Sequence, residues 1–244
     1  MKALVLAAGR GSRINELSNS SNKCMITLND KPVVEYILDT IIMLDISEII
    51  IVVGYKSEDL IGRYGTNYKG RTILYVNQSE QKGLVHAIEQ SKELLDEDFL
   101  LLLGDELIVE PDHQGMIKQF YDSGAFAICG IVPVDNLSKI SKTYSVFQDA
   151  TGKISRFVEK PKKPFNNLMG TGNCIFNKEI LKYINNTPVN YNRNEKELPD
   201  LIQCAVDEGH LVKSYVLSNN YFNINSSNDL QEAVQYYSNN ELYR

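Results

Sequence analysis

Short apolar runs that stop abruptly at glycine or polar clusters recur along this chain, and segments with helical spacing separate them. Ala3–Leu6, Ile49–Val53, Thr72–Val76 and Phe99–Leu103 are rich in valine, isoleucine and leucine and lack a strict apolar-polar alternation. Runs of this kind read as strands buried on both faces, as in a parallel sheet. Between them, residues 32–44 carry Val33, Tyr36, Ile37, Thr40 and Ile41 at helical intervals behind Asp30 and Pro32. Ser57–Tyr64 reads as a short helix, and Leu84–Leu95 as a helix entered at Gly83. Strict alternation of strand and helix through the first hundred residues predicts a parallel sheet with helices on both faces.

The second half is less regular. Phe126–Val132 and Gly172–Phe176 read as strands, and Tyr144–Phe147 with Ile154–Glu159 as a hairpin around Asp149-Ala-Thr-Gly152. Helices are expected over 178–184, 198–208 and 229–238, a strand over 212–217, and His113 in a loop. No repeat, linker or compositional border divides the chain, so residues 1–244 read as one domain. The expected fold class is α/β: a mixed, mostly parallel sheet whose later insertions form a lid over the earlier strands. Open α/β sheets take ligands at the carboxyl ends of their strands.

Composition narrows the partners. With 244 residues and 43% hydrophobic content the chain can bury a full core. A net charge of −6 and the lack of a lysine-arginine cluster disfavour nucleic acid and anionic membranes, so any bound anion must be met by a few placed cations. Cys24, Cys129, Cys174 and Cys204 are scattered without zinc-ligand spacing and read as reduced, mostly buried thiols. The first apolar run is too short for a membrane span or a signal peptide, which with the thiols points to the cytoplasm.

Chemistry concentrates at the ends of the apolar runs. Ala7-Ala8-Gly9-Arg10-Gly11-Ser12-Arg13 removes large side chains where the first strand ends and adds fixed charge, with Lys23 shortly beyond. Such a turn lets a phosphate chain approach the backbone; an ordinary strand turn with a surface arginine fits the same residues. Ile14 stands where a dinucleotide fingerprint needs glycine, and no Gly-Lys-Ser/Thr follows, so NAD and P-loop ATP binding are disfavoured. Asp105 follows the most apolar strand, where a hard cation could sit, with Glu106 as a secondary ligand. Glu159-Lys160-Pro161 pairs a hydroxyl acceptor with a cation for phosphate. His86, His113 and His210 form no nucleophile-base arrangement and read as structural or surface residues.

These segments, together with Gln78, Gly83, Thr171-Gly172, Glu197-Leu198-Pro199-Asp200 and Asn223, fall in the order and spacing of one family. The chain resembles the sugar-1-phosphate nucleotidylyltransferases from Met1 to about Tyr237, especially its thymidylyltransferase and uridylyltransferase-like members. Those enzymes join a nucleoside triphosphate to a sugar phosphate, release pyrophosphate, and have a Rossmann-like mixed sheet. The resemblance implies that Ala8, Gly9, Gly11 and Ser12 approach the nucleotide, while Arg13 and Lys23 bind its phosphates and act with Lys160 in catalysis. It implies that Gln78 and Gly83 read a pyrimidine edge, that Asp105 and Asn223 hold magnesium, and that Glu159, Lys160, Gly172 and Glu197 hold the acceptor. Residues 1–110 then form the nucleotide half and 111–244 mainly the acceptor half, and a homo-oligomer is left open.

The chemistry is consistent with that site. Two anions must approach each other and charge builds on departing pyrophosphate, which Arg13, Lys23, Lys160 and a magnesium ion would offset. The chain also departs from the family. Asn22 replaces a proline common before the lysine, as in some thymidylyltransferases; Glu106 replaces an asparagine frequent in that subgroup, and Tyr221-Phe222 lacks its usual tryptophan. Asn223 stands in place of the aspartate of many members, as it does in uridylyltransferases for N-acetylglucosamine 1-phosphate, which the chain resembles there. The favoured donor is dTTP or UTP. The alternatives are a CTP-dependent cytidylyltransferase for a non-sugar phosphate such as phosphocholine, and a nucleotide-binding regulator without turnover.

Overall fold

The computed structural model of the chain describes residues 1–9, 22–224 and 226–239. Its main sheet has eight strands: β1 Lys2–Leu6, β2 Glu48–Val53, β3 Asn67–Tyr68, β4 Arg71–Asn77, β5 Phe99–Leu103, β6 Ala127–Pro133, β7 Leu168–Phe176 and β8 Val212–Val216. They lie in the order β8-β6-β7-β5-β1-β2-β4-β3. β1 is parallel to β2 and β5, β2 to β4, and β6 to β8; β7 runs antiparallel to β5 and β6, and β3 to β4. This is the mixed, mostly parallel sheet that the spacing predicts. The chain goes from β1 outward to β2 and β4, then returns to set β5 on the other side of β1. That reversal opens a crevice at the carboxyl ends of β1 and β5, the switch point at which such sheets bind ligands.

Six α-helices among the described residues cover the sheet and its edge: α1 Val33–Ile42, α2 Ser57–Tyr64, α3 Leu84–Gln90, α4 His113–Ser123, α5 Leu198–Asp207 and α6 Ser227–Asn239. Alternate strand residues enter different cores. Ala3, Val5, Ile49 and Ile51 pack with Val34, Ile37, Leu38 and Ile41 of α1, Leu60 of α2 and Met116 and Phe120 of α4. Leu4, Leu6, Ile50 and Val52 pack on the other face with Val85 and Ile88 of α3 and Leu201, Ile202 and Ala205 of α5. Because both faces are covered, these strands need no polar positions, which is why they read as continuous apolar runs. Truncating a fully buried residue such as Ile50 to alanine costs about 2–5 kcal/mol. A smaller core beneath α6 joins Ile26, Leu28, Leu107, Val109 and Ile224.

Several local expectations are corrected. The helix expected over 84–95 ends at Gln90, where Ser91 Oγ bonds back to Ala87 O at 3.2 Å and Lys92–Leu94 tightens into a 3-10 turn. Lys178–Tyr183 is also 3-10, entered through Asn177, whose side chain accepts from Glu179 N at 3.0 Å. His113, expected in a loop, opens α4. Asp112 caps that helix by accepting from Gly115 N at 2.8 Å, and Gly124 closes it at φ 61°. β7 begins at Leu168, before the expected Gly172, and the short strands Glu106–Ile108 and Tyr221–Asn223 pair antiparallel without any clear sequence signal.

Candidate active site

The parallel strands deliver their carboxyl ends side by side. Leu6 is in register with Leu103 and with Val52, Gly104 N donates to Leu6 O at 2.9 Å, and Gln78 N donates to Val53 O at 2.8 Å. Ala8-Gly9, Gln78 and Asp105 are therefore carried to one edge by the sheet itself. A Cβ built on Gly9 would meet nothing within 4 Å among the described residues. Beyond this edge lies a cleft of about 370 Å³, closed on its far side by the hairpin 144–159, β7 and the segment 193–199.

Lys23 is held at the entrance by Asn22. The Asn22 side chain is fully buried; Nδ2 donates to Ala7 O at 3.1 Å and Tyr55 O at 2.9 Å, and Oδ1 accepts from Cys24 N at 2.9 Å. These bonds build the 3-10 turn Lys23–Met25 without the proline common in the family. The Lys23 ammonium, itself buried, forms an ion pair with Asp105. Cys24 lies behind the pair, and burial pushes its thiol far up, so it is no nucleophile at neutral pH.

At the β4 end, Gln78 is buried and its amide orientation is fixed. Its Nε2 is 3.2 Å from Gly83 O, which only accepts, and 2.8 Å from His86 Nδ1. The other end, Oε1, is thus the atom left to accept. Gly83 has φ 89°, and a Cβ there would stand 3.1 Å from Glu195 Cβ, so both the turn and the close approach of Glu195 require glycine.

The opposite wall is charged. Glu159 ends the hairpin, with Lys160 Nζ at 3.0 Å; Lys160 has φ 42°, and its N–H donates to Thr143 O at 2.6 Å. Arg193 joins three carboxylates: Nη1 lies 3.5 Å from Glu159 Oε1 and 2.9 Å from Glu197 Oε1, and Nη2 lies 3.3 Å from Glu195 Oε2. The contact with Glu197 is an ion pair without hydrogen-bond geometry. Burial raises the Glu159 and Glu197 carboxyls, against the pull of Lys160 and Arg193 on the first and of Arg193 and Lys160 on the second. Carboxylates so placed are strong acceptors for hydroxyl groups.

Between the walls, Asn223 lies opposite Glu106 in the pair of short strands, and Ile224 N donates to Asp105 O at 3.1 Å. Glu106, expected from the sequence as a secondary metal ligand, has both carboxyl oxygens engaged by protein donors. It is buried and accepts from Gly172 N at 2.9 Å, Asn173 Nδ2 at 3.1 Å and Tyr221 Oη at 2.7 Å. Burial pushes its carboxyl up to about 7 against those donors. Asn223 Oδ1, by contrast, is buried and makes no hydrogen bond. Among the described residues no group of three or more His, Cys, Asp or Glu side chains could hold a metal. A carboxylate and an unpartnered amide oxygen suit a hard cation that takes its remaining ligands from phosphate and water, as magnesium does.

Ala8, Gly9, Lys23, Gln78, Gly83, Asp105, Glu159, Lys160, Gly172, Glu197 and Asn223 all line this one cleft. Gly11, Ser12 and Arg13 lie outside the described residues. Gly172 offers no free N–H to an acceptor, because that group is bonded to Glu106, and a side chain there would come within 2.1 Å of Leu103 Cγ. The sequence reading missed Arg193, Glu195 and Lys142, which also line the cleft, and it set aside His86, which holds Gln78. Arg193 and Glu195 lie in the run Arg193-Asn-Glu-Lys-Glu197, whose charges look like any solvated loop until the fold turns them inward. The other histidines serve the scaffold: His113 bonds Asn173 at 2.8 Å, and His210 stacks on Phe126 with ring centroids 4.0 Å apart.

Known proteins share this architecture. The sequence model of the family described as Nucleotidyl transferase matches residues 2–240. The UTP–glucose-1-phosphate uridylyltransferase AglF of Haloferax volcanii is 32% identical over 96% of this chain and 96% of its own. A glucose-1-phosphate thymidylyltransferase of Streptomyces griseus is 27% identical over 96% of this chain, which spans 65% of that longer relative. Among solved structures, a UDP-glucose pyrophosphorylase complexed with UDP-glucose superposes with a TM-score of 0.88, at 24% identity over 97% of this chain and 98% of that one. The UTP-bound UGPase of Acinetobacter baumannii superposes with a TM-score of 0.82, at 24% identity over 99% and 95%. These two confirm the fold. The family match over nearly the whole chain, together with the uridylyltransferase relative, shows that the chain belongs to the nucleotidyl transferase family, among the sugar-1-phosphate nucleotidylyltransferases.

Proposed function

We propose that this cleft transfers a uridylyl or thymidylyl group from UTP or dTTP to a hexose 1-phosphate, releasing pyrophosphate, in a magnesium-dependent reaction. One observation carries the reading: a single cleft at the switch point holds nucleotide-facing groups on one wall and phosphate- and hydroxyl-binding groups on the other. Gln78 supports the choice of base. With Nε2 taken by Gly83 O and His86, its Oε1 accepts from the N3–H of uracil or thymine, whereas N3 of cytosine is itself an acceptor. Relatives named for UTP or for thymidylyl transfer, both with glucose 1-phosphate, agree with this choice.

In this reading an oxygen of the sugar phosphate attacks the α-phosphorus, and the bond to the β,γ-pyrophosphate breaks. A phosphate monoester is largely ionised at neutral pH, so no protein base or nucleophile is needed. Lys160 holds the acceptor phosphate, and Glu159 and Glu197 accept sugar hydroxyls. Lys23 and Arg13 receive the triphosphate; the Lys23 ammonium exchanges its pairing with Asp105 for phosphate oxygens when substrate enters. Asp105 and Asn223 Oδ1 would hold magnesium, which when bound neutralises charge on the triphosphate and the leaving pyrophosphate. No described helix is long and apolar enough to cross a membrane.

Pyrophosphate release across a matrix of triphosphates (UTP, dTTP, CTP, ATP, GTP) and acceptors (glucose 1-phosphate, N-acetylglucosamine 1-phosphate, phosphocholine) tests the proposal. Release confined to UTP or dTTP with a hexose 1-phosphate is expected. Release only with CTP and phosphocholine would replace the substrates, and no release from any pair would leave a nucleotide-binding protein.

A further inference from the structure

Glu106 lies more than a hundred residues before Tyr221 and Asn223 in the chain and is joined to both in the fold. Asn223 Nδ2 is 3.1 Å from Tyr221 Oη, and Tyr221 Oη is 2.7 Å from Glu106 Oε1. The other carboxylate oxygen, Oε2, accepts from Asn173 Nδ2 at 3.1 Å and from Gly172 N at 2.9 Å, an N–H that it shares with Oε1 at 3.1 Å. Tyr221 and Glu106 are both buried, so water does not compete for these bonds.

The chemistry of the three groups fixes the direction of the chain of bonds. Gly172 N bonds to both oxygens of Glu106 and Asn173 Nδ2 to Oε2, and both groups only donate, so the carboxyl is the acceptor of the cluster and the Tyr221 hydroxyl donates to its Oε1. Only lone pairs of that hydroxyl then remain for Asn223, and only the NH₂ end of an amide can fill them. The amide oxygen is thereby turned away from Tyr221, and it is this Oδ1 that is buried without a hydrogen bond, in a residue that lines the same cleft as Asp105. A side-chain amide is nearly symmetric in shape and without such a partner can sit either way round.

We propose that Glu106 and Tyr221 are positioning residues that lock the Asn223 amide with its oxygen toward the cation held with Asp105. The inference rests on the magnesium reading above. An aspartate at position 223 would need no lock, because both of its terminal atoms are oxygens. An asparagine does, since the reversed amide presents an NH₂ to a cation. In this chain the amide ligand and the two residues that orient it act as one unit.

Replacing Glu106 by glutamine gives the sharpest test. Asn173 Nδ2, which donates only at Oε2, and the shorter of the two Gly172 N contacts draw the new carbonyl oxygen to that side and leave the NH₂ facing Tyr221. The hydroxyl then donates to Asn223 instead, and the amide reverses. Mn²⁺ binding, followed by electron paramagnetic resonance at a pH of about 8 with UTP or dTTP present, reads the metal directly on the full chain. Tyr221→Phe is expected to weaken Mn²⁺ binding about 3- to 10-fold, the effect of one lost orienting hydrogen bond, and Glu106→Gln at least as much. In the Asn223→Asp background both losses should shrink below about two-fold on the same grounds. Equal losses in both backgrounds, or unchanged affinity in Tyr221→Phe and Glu106→Gln, would overturn the lock. If the unsubstituted chain binds no more Mn²⁺ than the nucleotide alone, the magnesium reading itself fails.

Discussion

In the proposed reading, Gln78 and His86 set what the base end of the cleft accepts. His86 accepts the second amide proton of Gln78, and replacing it by leucine frees that amide to rotate. His86→Leu is expected to raise KM for UTP or dTTP and to cut discrimination against CTP about 10-fold, the worth of one orienting hydrogen bond, with little change in kcat. Competition kinetics with both triphosphates read this ratio, and unchanged discrimination would separate His86 from base reading. Lys160→Ala should raise KM for the sugar phosphate at least about 10-fold and leave KM for the triphosphate nearly unchanged. A loss confined to the triphosphate would move Lys160 to the other substrate. Asp105 and Lys160 stood out in the sequence because each closely follows a strand end, and Lys23 through the family resemblance; all three line the cleft. The roles of Asn22, His86, Arg193 and Tyr221 were not legible, because each acts through a partner that only the tertiary fold supplies: Ala7 and Tyr55, Gln78, three glutamates, and Glu106.

Among the elements, the buried parallel strands were the most legible, since an apolar run between turn residues has few other fates in a soluble chain. Ser57–Tyr64, Phe99–Leu103 and Ile154–Glu159 match their expected bounds. Elements whose ends depend on one side-chain bond were misread, as at Ser91 and Asp112. Asp39 on α1 shows how an element is tied to its neighbours. It accepts from Tyr68 Oη at 2.7 Å and pairs with Lys31 and Lys69. Partial burial would raise its carboxyl, but Lys31, Lys69 and Tyr68 outweigh that and hold it below the ordinary carboxylate range. With a folded pKa below the unfolded one, the stabilisation is complete above the unfolded value of about 3.9 and is lost as pH falls through the lower, folded value. Asp39→Asn should therefore lower stability by about 1 kcal/mol at neutral pH, and the two proteins should converge in acid. Urea unfolding at several pH values checks this; a difference that grows below pH about 4 would contradict it.

Across the whole molecule, one sheet takes strands from both halves of the chain, and its order reverses where β1 meets β5. That reversal gathers residues from Ala8 to Asn223 around one cleft. The alternation of elements predicted the sheet but not the antiparallel β7 at its centre, whose direction is set by the long return through the hairpin that it packs against. The reaction proposed for the cleft fixes the fate of every oxygen. Incubation with UTP and glucose 1-phosphate carrying ¹⁸O in its phosphate, followed by mass spectrometry of both products, tests it most directly. The account predicts equimolar UDP-sugar and pyrophosphate, with all of the label in the nucleotide sugar and none in the pyrophosphate. Label in the pyrophosphate, or pyrophosphate formed without a nucleotide sugar, would contradict transfer between the two anions in this cleft.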